Sequence, residues 1–228
     1  MPPQTRYKQE QRFWDDVAVT DYESLSAYDQ ERILRCINWL GDGKVLDIGG
    51  GSGMVSRLLD REPGTESVCL DISHKMLKHS PVSAVQADAL RLPFRDNSFD
   101  LVVSAAFFHH LPGYTHQLLA ECHRVLAPMG RLVGYDPNAH CIQNKIFMTG
   151  GPFRLKLFSP DERPIIPEVL SQEALSVSFG KFDYFYFSFR NNRFTPFELI
   201  QRFLLSPFAV GPLAQRLERW FYWCARKE

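Results

Sequence analysis

The sequence lacks the features of membrane-spanning and exported proteins. None of its apolar runs reaches about 18 residues, the length that a transmembrane helix needs. The first residues, MPPQTRYKQEQRFWDD, contain no apolar signal core. The five cysteines are scattered, and no two have the Cys-x-x-Cys spacing of a zinc knuckle or the density of a disulfide framework. We therefore expect a cytoplasmic protein in a reducing compartment.

An excess of charge of either sign is also missing. The 26 Lys and Arg residues balance the 26 Asp and Glu residues, so we expect no nucleic-acid partner. The balance is not uniform, because residues 181–228 contain eight basic and four acidic side chains. With 45% apolar and 23% charged residues, the composition is that of a folded globular domain.

Predicted strands and helices alternate along the first 136 residues. Short apolar runs predict strands at residues 44–48, 67–73, 82–85, 99–108 and 131–136. Apolar residues at helical spacing predict helices at residues 25–40, 54–62, 74–79 and 114–126. Such alternation predicts an α/β domain with a parallel sheet and helices on both faces.

The pattern weakens after Asp136. Residues 137–170 contain Pro and Gly and predict an irregular insertion. A helix is predicted within residues 171–179, with Ser171 as its cap. The aromatic segments 182–189 and 220–225 predict two further strands.

Glycine is concentrated in one turn, directly after the first predicted strand. The segment VLDIGGGSG places Gly49, Gly51 and Gly53 shortly after Asp47. Glycine has no Cβ and tolerates positive φ, so this turn lets the backbone approach a flat or anionic ligand closely. A dinucleotide fingerprint starting at Gly49 would need glycine where Met54 stands, which disfavours nicotinamide binding. A tight strand-to-helix turn without a ligand is the alternative.

Single carboxylates follow the next two predicted strands. Asp71 ends the second strand and Asp88 follows the third, at the sheet edge where open α/β folds bind ligands. The carboxylate of Asp71 can accept two hydrogen bonds from a ribose diol, and that of Asp88 can accept one from the exocyclic amine of a base. Either residue alone is as typical of a helix cap or a surface charge. Together with the glycines they favour a nucleoside ligand.

Several blocks stand in the order and spacing of a known family. They are VLDIGGGSG, VCLDIS, QADALRLPFRDNSFDLVVSAAFFHHL and RVLAPMGRLVGYDPN. From about residue 44 to residue 137 the chain resembles the class I S-adenosylmethionine-dependent methyltransferases, especially their small-molecule group. The resemblance implies a Rossmann-like three-layer α/β sandwich with a seven-stranded, mostly parallel sheet. Strand seven, here WFYWCARK, would lie antiparallel between strands five and six.

The resemblance also implies a binding site for S-adenosylmethionine. Its predicted cofactor-binding residues are Asp47, Gly49, Gly51, Gly53, Asp71, Ile72, Asp88, Ala89 and Ser104. The three glycines would pass beneath the methionine and ribose of the cofactor, with Asp47 fixing their turn. Asp71 would hold the ribose hydroxyls, and Asp88 would accept from the adenine amine. Ile72 and Ala89 would contact the adenine ring, and the carbonyl region of Ser104 would receive the methionine ammonium.

Two adjacent histidines, His109 and His110, follow the fourth predicted strand. The resemblance places them at the edge where the methyl group would emerge. An imidazole with an ordinary pKa of about 6.5 suits a general base, so both are predicted catalytic residues. Capping the next helix or bonding to the backbone is the alternative for each. No His or Cys here has metal-ligand spacing, so we predict no metal.

We divide the chain into three segments. Residues 1–40 would form an N-terminal helical lid, residues 41–137 the cofactor-binding core, and residues 138–228 the acceptor roof with the last strands. Within the third segment, residues 194–221 mix Phe, Leu and Trp with three arginines. This composition is compatible with an amphipathic segment on an anionic membrane, and an apolar wall of the acceptor pocket is the alternative.

These features predict an S-adenosylmethionine-dependent methyltransferase that acts at oxygen on a small-molecule or glycolipid acceptor. A lipid-linked acceptor would account for the aromatic and basic character of residues 194–221. Two other functions stay open at this point. One is a non-catalytic scaffold that binds S-adenosylmethionine, and the other is a nicotinamide-dependent oxidoreductase.

Overall fold

One mixed sheet organises the described part of the chain. The computed structural model describes residues 3–16, 27–38, 41–149, 161–187, 216 and 218–228. Its helices are α1 Pro3–Asp16, α2 Ala27–Ile37, α3 Met54–Leu59, α4 His74–Leu77, α5 Thr115–Val125, α6 Ile142–Met148 and α7 Pro167–Ser176. Its strands are β1 Gly43–Ile48, β2 Thr65–Asp71, β3 Ser83–Gln86, β4 Phe99–Ala105, β5 Leu126–Pro137, β6 Phe179–Phe187 and β7 Trp220–Lys227.

The strands form a seven-stranded sheet in the order β3-β2-β1-β4-β5-β7-β6. The first five strands in sequence pair in parallel. Strand β7 lies antiparallel to both β5 and β6, between them. The predicted Rossmann-like α/β fold, including its antiparallel last strand, is confirmed.

Apolar side chains on both faces of the central strands explain the two helical layers. Val45 and Leu46 are neighbours in β1 and belong to opposite hydrophobic clusters. On one face the sheet packs against α2 and α3, and on the other against α5 and α7. Burying one such aliphatic side chain stabilises the fold by roughly 1.5–3 kcal/mol, so the alternating pattern fixes which face each helix covers.

The connection after β4 differs from the sequence prediction. The strand ends at Ala105 rather than continuing to Phe108. Ala106 has a positive φ of 54°, and Phe108–His110 form a single 3-10 turn. This change of direction turns both histidines inward, where they are buried.

The irregular region before β6 contains more structure than its sequence predicts. Helix α7 begins at Pro167, so Ser171 lies inside the helix and the predicted Ser171 cap is wrong. Proline has no N–H to donate, which suits the first turn of a helix. An isolated bridge between Asn138 and Ile165 ties the chain before α7 to the end of β5.

Among the described residues, no helix is both long enough and apolar enough to cross a bilayer. The predicted membrane-contacting segment, residues 194–221, lies almost entirely outside the described residues. Peripheral membrane contact therefore stays a prediction.

Candidate functional site

The glycine turn follows β1 at the carboxyl edge of the parallel strands. Gly49, Gly51 and Gly53 have φ values of +64°, +55° and +76°, a region that side chains disfavour. A Cβ on Gly49 would overlap the ring of Phe107. Among the residues that the structure describes, a Cβ on Gly51 would meet only the terminal methyl of Met76, at 3.2 Å. The turn is thus packed at Gly49 and leaves space for a ligand at Gly51.

Asp71 joins the end of β2 to this turn. Its Oδ2 accepts a hydrogen bond from the backbone N–H of Gly51 at 3.0 Å, and its Oδ1 accepts from that of Ser73 at 2.8 Å. Burial raises the pKa of Asp71, and both backbone donors oppose that rise. A carboxylate has about four acceptor positions, so Asp71 keeps capacity for two hydroxyls.

Asp47 fixes the turn from below. Its Oδ2 accepts from the backbone N–H of Ser56 at 3.1 Å and from the Ser56 hydroxyl at 2.7 Å. Its Oδ1 has no hydrogen-bond partner among the described residues. Burial raises the pKa of Asp47 to about 6, although the two bonds from Ser56 oppose it. This buried, unpaired oxygen has the chemistry of an acceptor for a ligand ammonium.

The raised pKa of Asp47 predicts a pH-dependent stability. The folded state holds this proton more tightly than the unfolded state, so its contribution to stability is full below pH 3.8 and is lost as the pH rises through about 6. One pKa unit corresponds to about 1.4 kcal/mol, so the whole loss is roughly 3 kcal/mol. Asp47→Asn removes this loss, and its stability relative to the unmodified chain should increase from pH 5 to pH 8.

Urea unfolding at both pH values measures this difference. The matched control is Asp60→Asn, because Asp60 is exposed just after α3. A relative stability of Asp47→Asn that does not change with pH would contradict the assigned pKa.

Asp88 lies just after β3 in a tight turn. Its Oδ1 accepts from the backbone N–H of Leu90 at 2.9 Å, and its carbonyl accepts from that of Arg91 at 3.0 Å. The residue is half-buried, so its second carboxylate oxygen can face a ligand amine. Ala89, next to it, is buried.

The two other predicted cofactor contacts lie on neighbouring elements. Ile72 directly follows Asp71 and is half-buried, and its carbonyl accepts from the Gln86 side chain at 3.1 Å. Ser104 is fully buried near the end of β4, in register with Gly134 of β5. Its hydroxyl has no hydrogen-bond partner among the described residues.

Buried acids and bases form a second group beside the glycine turn. Asp136, at the end of β5, accepts through Oδ1 from the backbone N–H of His109 at 3.1 Å and lies 3.0 Å from Nδ1 of the same residue. Its Oδ2 accepts from the indole N–H of Trp223 at 3.1 Å. Glu162 lies 3.1 Å from Nδ1 of His110 and 3.9 Å from Nε2 of His109. We call Asp136, His109, His110 and Glu162 the histidine cluster.

The electrostatics of the histidine cluster follow from its burial. Burial raises the pKa of Asp136 to about 7, against the hydrogen bonds from Trp223 and His109. Burial also lowers the pKa of His109 well below its ordinary value, and the nearby His110 adds to this while Glu162 opposes it. His109 is therefore a neutral, oriented imidazole at neutral pH.

Helix α1 covers the gap between the glycine turn and the histidine cluster. The Trp14 ring meets the His110 ring edge to face, with centroids 4.9 Å apart. Asp15 accepts from the Ser73 hydroxyl at 2.6 Å, and the Lys75 ammonium donates to its carbonyl at 3.0 Å. This position suits the predicted lid, which stays a prediction.

Sequence reasoning missed Glu162. Nothing in its surroundings resembles a motif, since it lies in the stretch predicted to be irregular. The Asn138–Ile165 bridge and a hydrogen bond from the Arg163 N–H to the His109 carbonyl, at 3.1 Å, bring it to the histidines. Asp136 ends a predicted strand and His109 is predicted to be catalytic, but nothing in the sequence indicates that these two residues pair.

Comparisons with known proteins agree with this geometry. Residues 46–134 match the family model of the methyltransferase domain. The demethylmenaquinone methyltransferase of Thermotoga maritima is 37% identical over 145 residues, which are 58% of this chain and 63% of that protein. The malonyl-[acyl-carrier protein] O-methyltransferase of Geobacter sulfurreducens is 36% identical over 126 residues, which are 49% of this chain and 47% of that protein.

A solved structure shares the whole fold. The crystal structure of a SAM-dependent methyltransferase from Archaeoglobus fulgidus aligns with a TM-score of 0.66 and 22% identity, covering 99% of this chain and 100% of that chain. The chain spans less than two thirds of the length of the two curated relatives above. The predicted resemblance to the S-adenosylmethionine-dependent methyltransferases is confirmed over residues 46–134, which match the methyltransferase domain model.

Proposed function

We propose that this chain is an S-adenosylmethionine-dependent methyltransferase whose acceptor is a small molecule methylated at oxygen. One observation carries the proposal: the glycine turn, Asp71 and Asp88 follow three adjacent strands, β1, β2 and β3, at one edge of the sheet. Ligands of open α/β sheets bind at this edge. The family match over residues 46–134 supports the same ligand.

The residues present fit this cofactor. Gly51 leaves space above the turn, Asp71 has free acceptor positions for a diol, and Asp47 holds a buried oxygen for an ammonium. Asp88, Ala89 and Ile72 lie on the β2 and β3 side, where we place the adenine, and Ser104 and Gly49 lie on the methionine side. When bound, the cofactor supplies an electrophilic methyl carbon. The protein contributes alignment and the exclusion of water.

We assign the histidine cluster the task of removing the proton of the acceptor. An oxygen acceptor must lose a proton, and His110 is placed to take it, with Glu162 at 3.1 Å to stabilise the imidazolium. His109, held by Asp136, positions this pair. The names of the two curated relatives, a demethylmenaquinone methyltransferase and a malonyl-[acyl-carrier protein] O-methyltransferase, support a small-molecule acceptor, and the second name supports methylation at oxygen. A lipid-linked acceptor and cytoplasmic location remain predictions.

Gly51→Ala tests the cofactor site. The added methyl would displace the flexible end of Met76, 3.2 Å away, by a few tenths of an ångström and would occupy the space assigned to the cofactor. We expect S-adenosylmethionine binding to weaken by at least roughly tenfold in calorimetry, about 1.4 kcal/mol. The positive φ of Gly51 adds a strain of about 1–2 kcal/mol to folding.

Gly113→Ala is the matched control for this strain. Gly113 has a φ of +80° and open space around it, so its variant shares the strain without blocking the turn. Equal affinities of Gly51→Ala and Gly113→Ala would contradict the site. Preference for a nicotinamide dinucleotide in the same calorimetry would favour the oxidoreductase alternative.

An acceptor search tests the reaction itself. Purified protein and S-adenosylmethionine are added to a metabolite extract, and metabolites that gain a methyl group are identified by mass. Formation of S-adenosylhomocysteine together with a methylated product supports the enzyme. Tight cofactor binding without turnover on any fraction would favour the scaffold alternative.

A further inference from the structure

A ring nitrogen of each histidine in the histidine cluster lies close to the carboxylate of Glu162. The Nδ1 of His109 pairs with Asp136, which leaves Nε2 as its second nitrogen, 3.9 Å from a carboxylate oxygen of Glu162. That distance is too long for a hydrogen bond. Two ligands of one tetrahedral zinc ion lie about 3.3–3.6 Å apart, since metal–ligand distances for zinc are about 2.0–2.2 Å, so a shift of roughly 0.5 Å would bring both atoms onto one ion.

The cluster also concentrates negative charge away from water. Asp136 is fully buried and Glu162 is only 2% exposed. Burying a carboxylate costs several kcal/mol unless a positive charge accompanies it. A single divalent cation between these atoms would supply that charge.

We propose that His109, His110 and Glu162 bind one divalent transition-metal ion, with zinc as the expected species. One ligand atom from each of the three lies within 4.8 Å of the other two, and all three residues are buried. Two imidazoles and one carboxylate form a typical zinc ligand set that leaves a fourth position open.

The second layer of contacts supports the same assignment. A metal-binding histidine usually donates its other ring N–H to a carboxylate, which fixes the tautomer and aims the free nitrogen at the ion. Asp136 does this for His109, and the Trp223 indole in turn holds Asp136. The sequence prediction of no metal rested on spacing alone, and Glu162 lies 52 positions beyond His110, where no local spacing could reveal it.

Binding of the ion has a consequence that rests on the proposed function. A metal ion and the acceptor's proton need the same lone pair of His110. We therefore expect zinc to slow methyl transfer to oxygen and a chelator to restore it. The site itself can be tested without cofactor or acceptor.

The experiment measures metal binding by the full chain. Protein stripped with a chelator is titrated with zinc in calorimetry, and Co²⁺ is used as a spectroscopic probe of nitrogen and oxygen ligation. We expect one zinc per chain with micromolar or tighter affinity and a higher melting temperature. Glu162→Gln keeps the side-chain shape but removes the anionic ligand, and should weaken binding by roughly 100-fold.

Glu168→Gln is the matched control. Glu168 also pairs with a histidine, His140, at 2.8 Å, but this pair is half-exposed, and among the described residues it belongs to no group of three possible metal ligands. The Glu168→Gln variant should bind zinc with the same affinity as the unmodified chain. Circular dichroism shows whether each variant is folded. If Glu162→Gln does not fold, His110→Asn replaces it as the variant that removes a ligand.

Two results would overturn the proposal. One is no stoichiometric zinc binding by the folded, unmodified chain. The other is equal affinity in the folded cluster variants and in the unmodified chain, which would place the ion on other groups such as the free cysteines. Zinc binding without any cofactor binding would instead contradict the proposed function and leave the metal site standing.

Discussion

Asp71→Ala is expected to weaken S-adenosylmethionine binding by roughly 100-fold or more. A hydrogen bond to a charged group contributes about 1.5–3 kcal/mol, and we assign two ribose hydroxyls to this carboxylate. Every 1.4 kcal/mol corresponds to about tenfold in affinity, so even the lower value gives two orders of magnitude. The change also removes the acceptor of the Gly51 N–H, which holds the glycine turn in place.

Two further variants separate binding from folding. Asp71→Asn keeps one acceptor oxygen and should lose less affinity than the alanine variant. Glu66→Gln lies on the same strand but its side chain is 74% exposed, so its affinity should be unchanged. Calorimetry gives the affinities and thermal unfolding reports the fold. If the folded Asp71→Ala protein binds the cofactor as well as Glu66→Gln does, the ribose assignment is wrong.

The position of the glycine turn, Asp71 and Asp88 at one edge of the sheet could be predicted because their signals are local. Gly49, Gly51 and Gly53 stand within five residues, and each carboxylate directly follows an apolar run. Parallel strands place their carboxyl ends at one edge, so local order along the chain becomes proximity in space. The observed pairing of β1 with β2 and of β2 with β3 confirms this step.

The position of the last strand depended on the family resemblance. Alternation of strands and helices predicts parallel neighbours, but nothing in WFYWCARK specifies its direction or its partners. In the structure, β7 pairs along its length with both β5 and β6. The direction of a strand is set by its pairing with distant segments. The spacing of apolar residues along the chain carries no information about that pairing.

The contacts within the histidine cluster could not be predicted, because they too depend on pairing between distant segments of the chain. Glu162 reaches His110 through a bridge between irregular segments, and Ser171 resembles a helix cap although the helix starts at Pro167. A proline at the first turn is as strong a start signal as a serine cap, and tertiary contacts decide between them. Side chains that come together only through such contacts have no characteristic separation along the sequence.

Trp223→Ala is expected to destabilise the fold by about 3–5 kcal/mol or more, which is a large share of the stability of a domain of this size. Trp223 is fully buried in β7, stacks on Phe182 and meets Phe108 edge to face at 4.9 Å. Its removal leaves a cavity and deprives Asp136 of the indole donor. Urea unfolding measures the loss, and an unfolding midpoint equal to that of the unmodified chain would contradict it.

Trp223→Phe distinguishes packing from positioning. The smaller ring keeps most of the contacts, so we expect a loss of only about 1–3 kcal/mol, the cost of leaving a buried acceptor without its donor. Asp136 then loses a hydrogen bond that opposes the rise of its pKa to about 7, so the pKa should rise further. A protonated Asp136 holds His109 less firmly, and zinc affinity should fall by about tenfold.

Trp220→Phe is the control, because Trp220 lies in the same strand but is only half-buried and contacts Tyr135 instead. If Trp223→Phe loses stability but keeps its zinc affinity, the indole acts on packing alone and the link from β7 through Asp136 to the histidines is excluded.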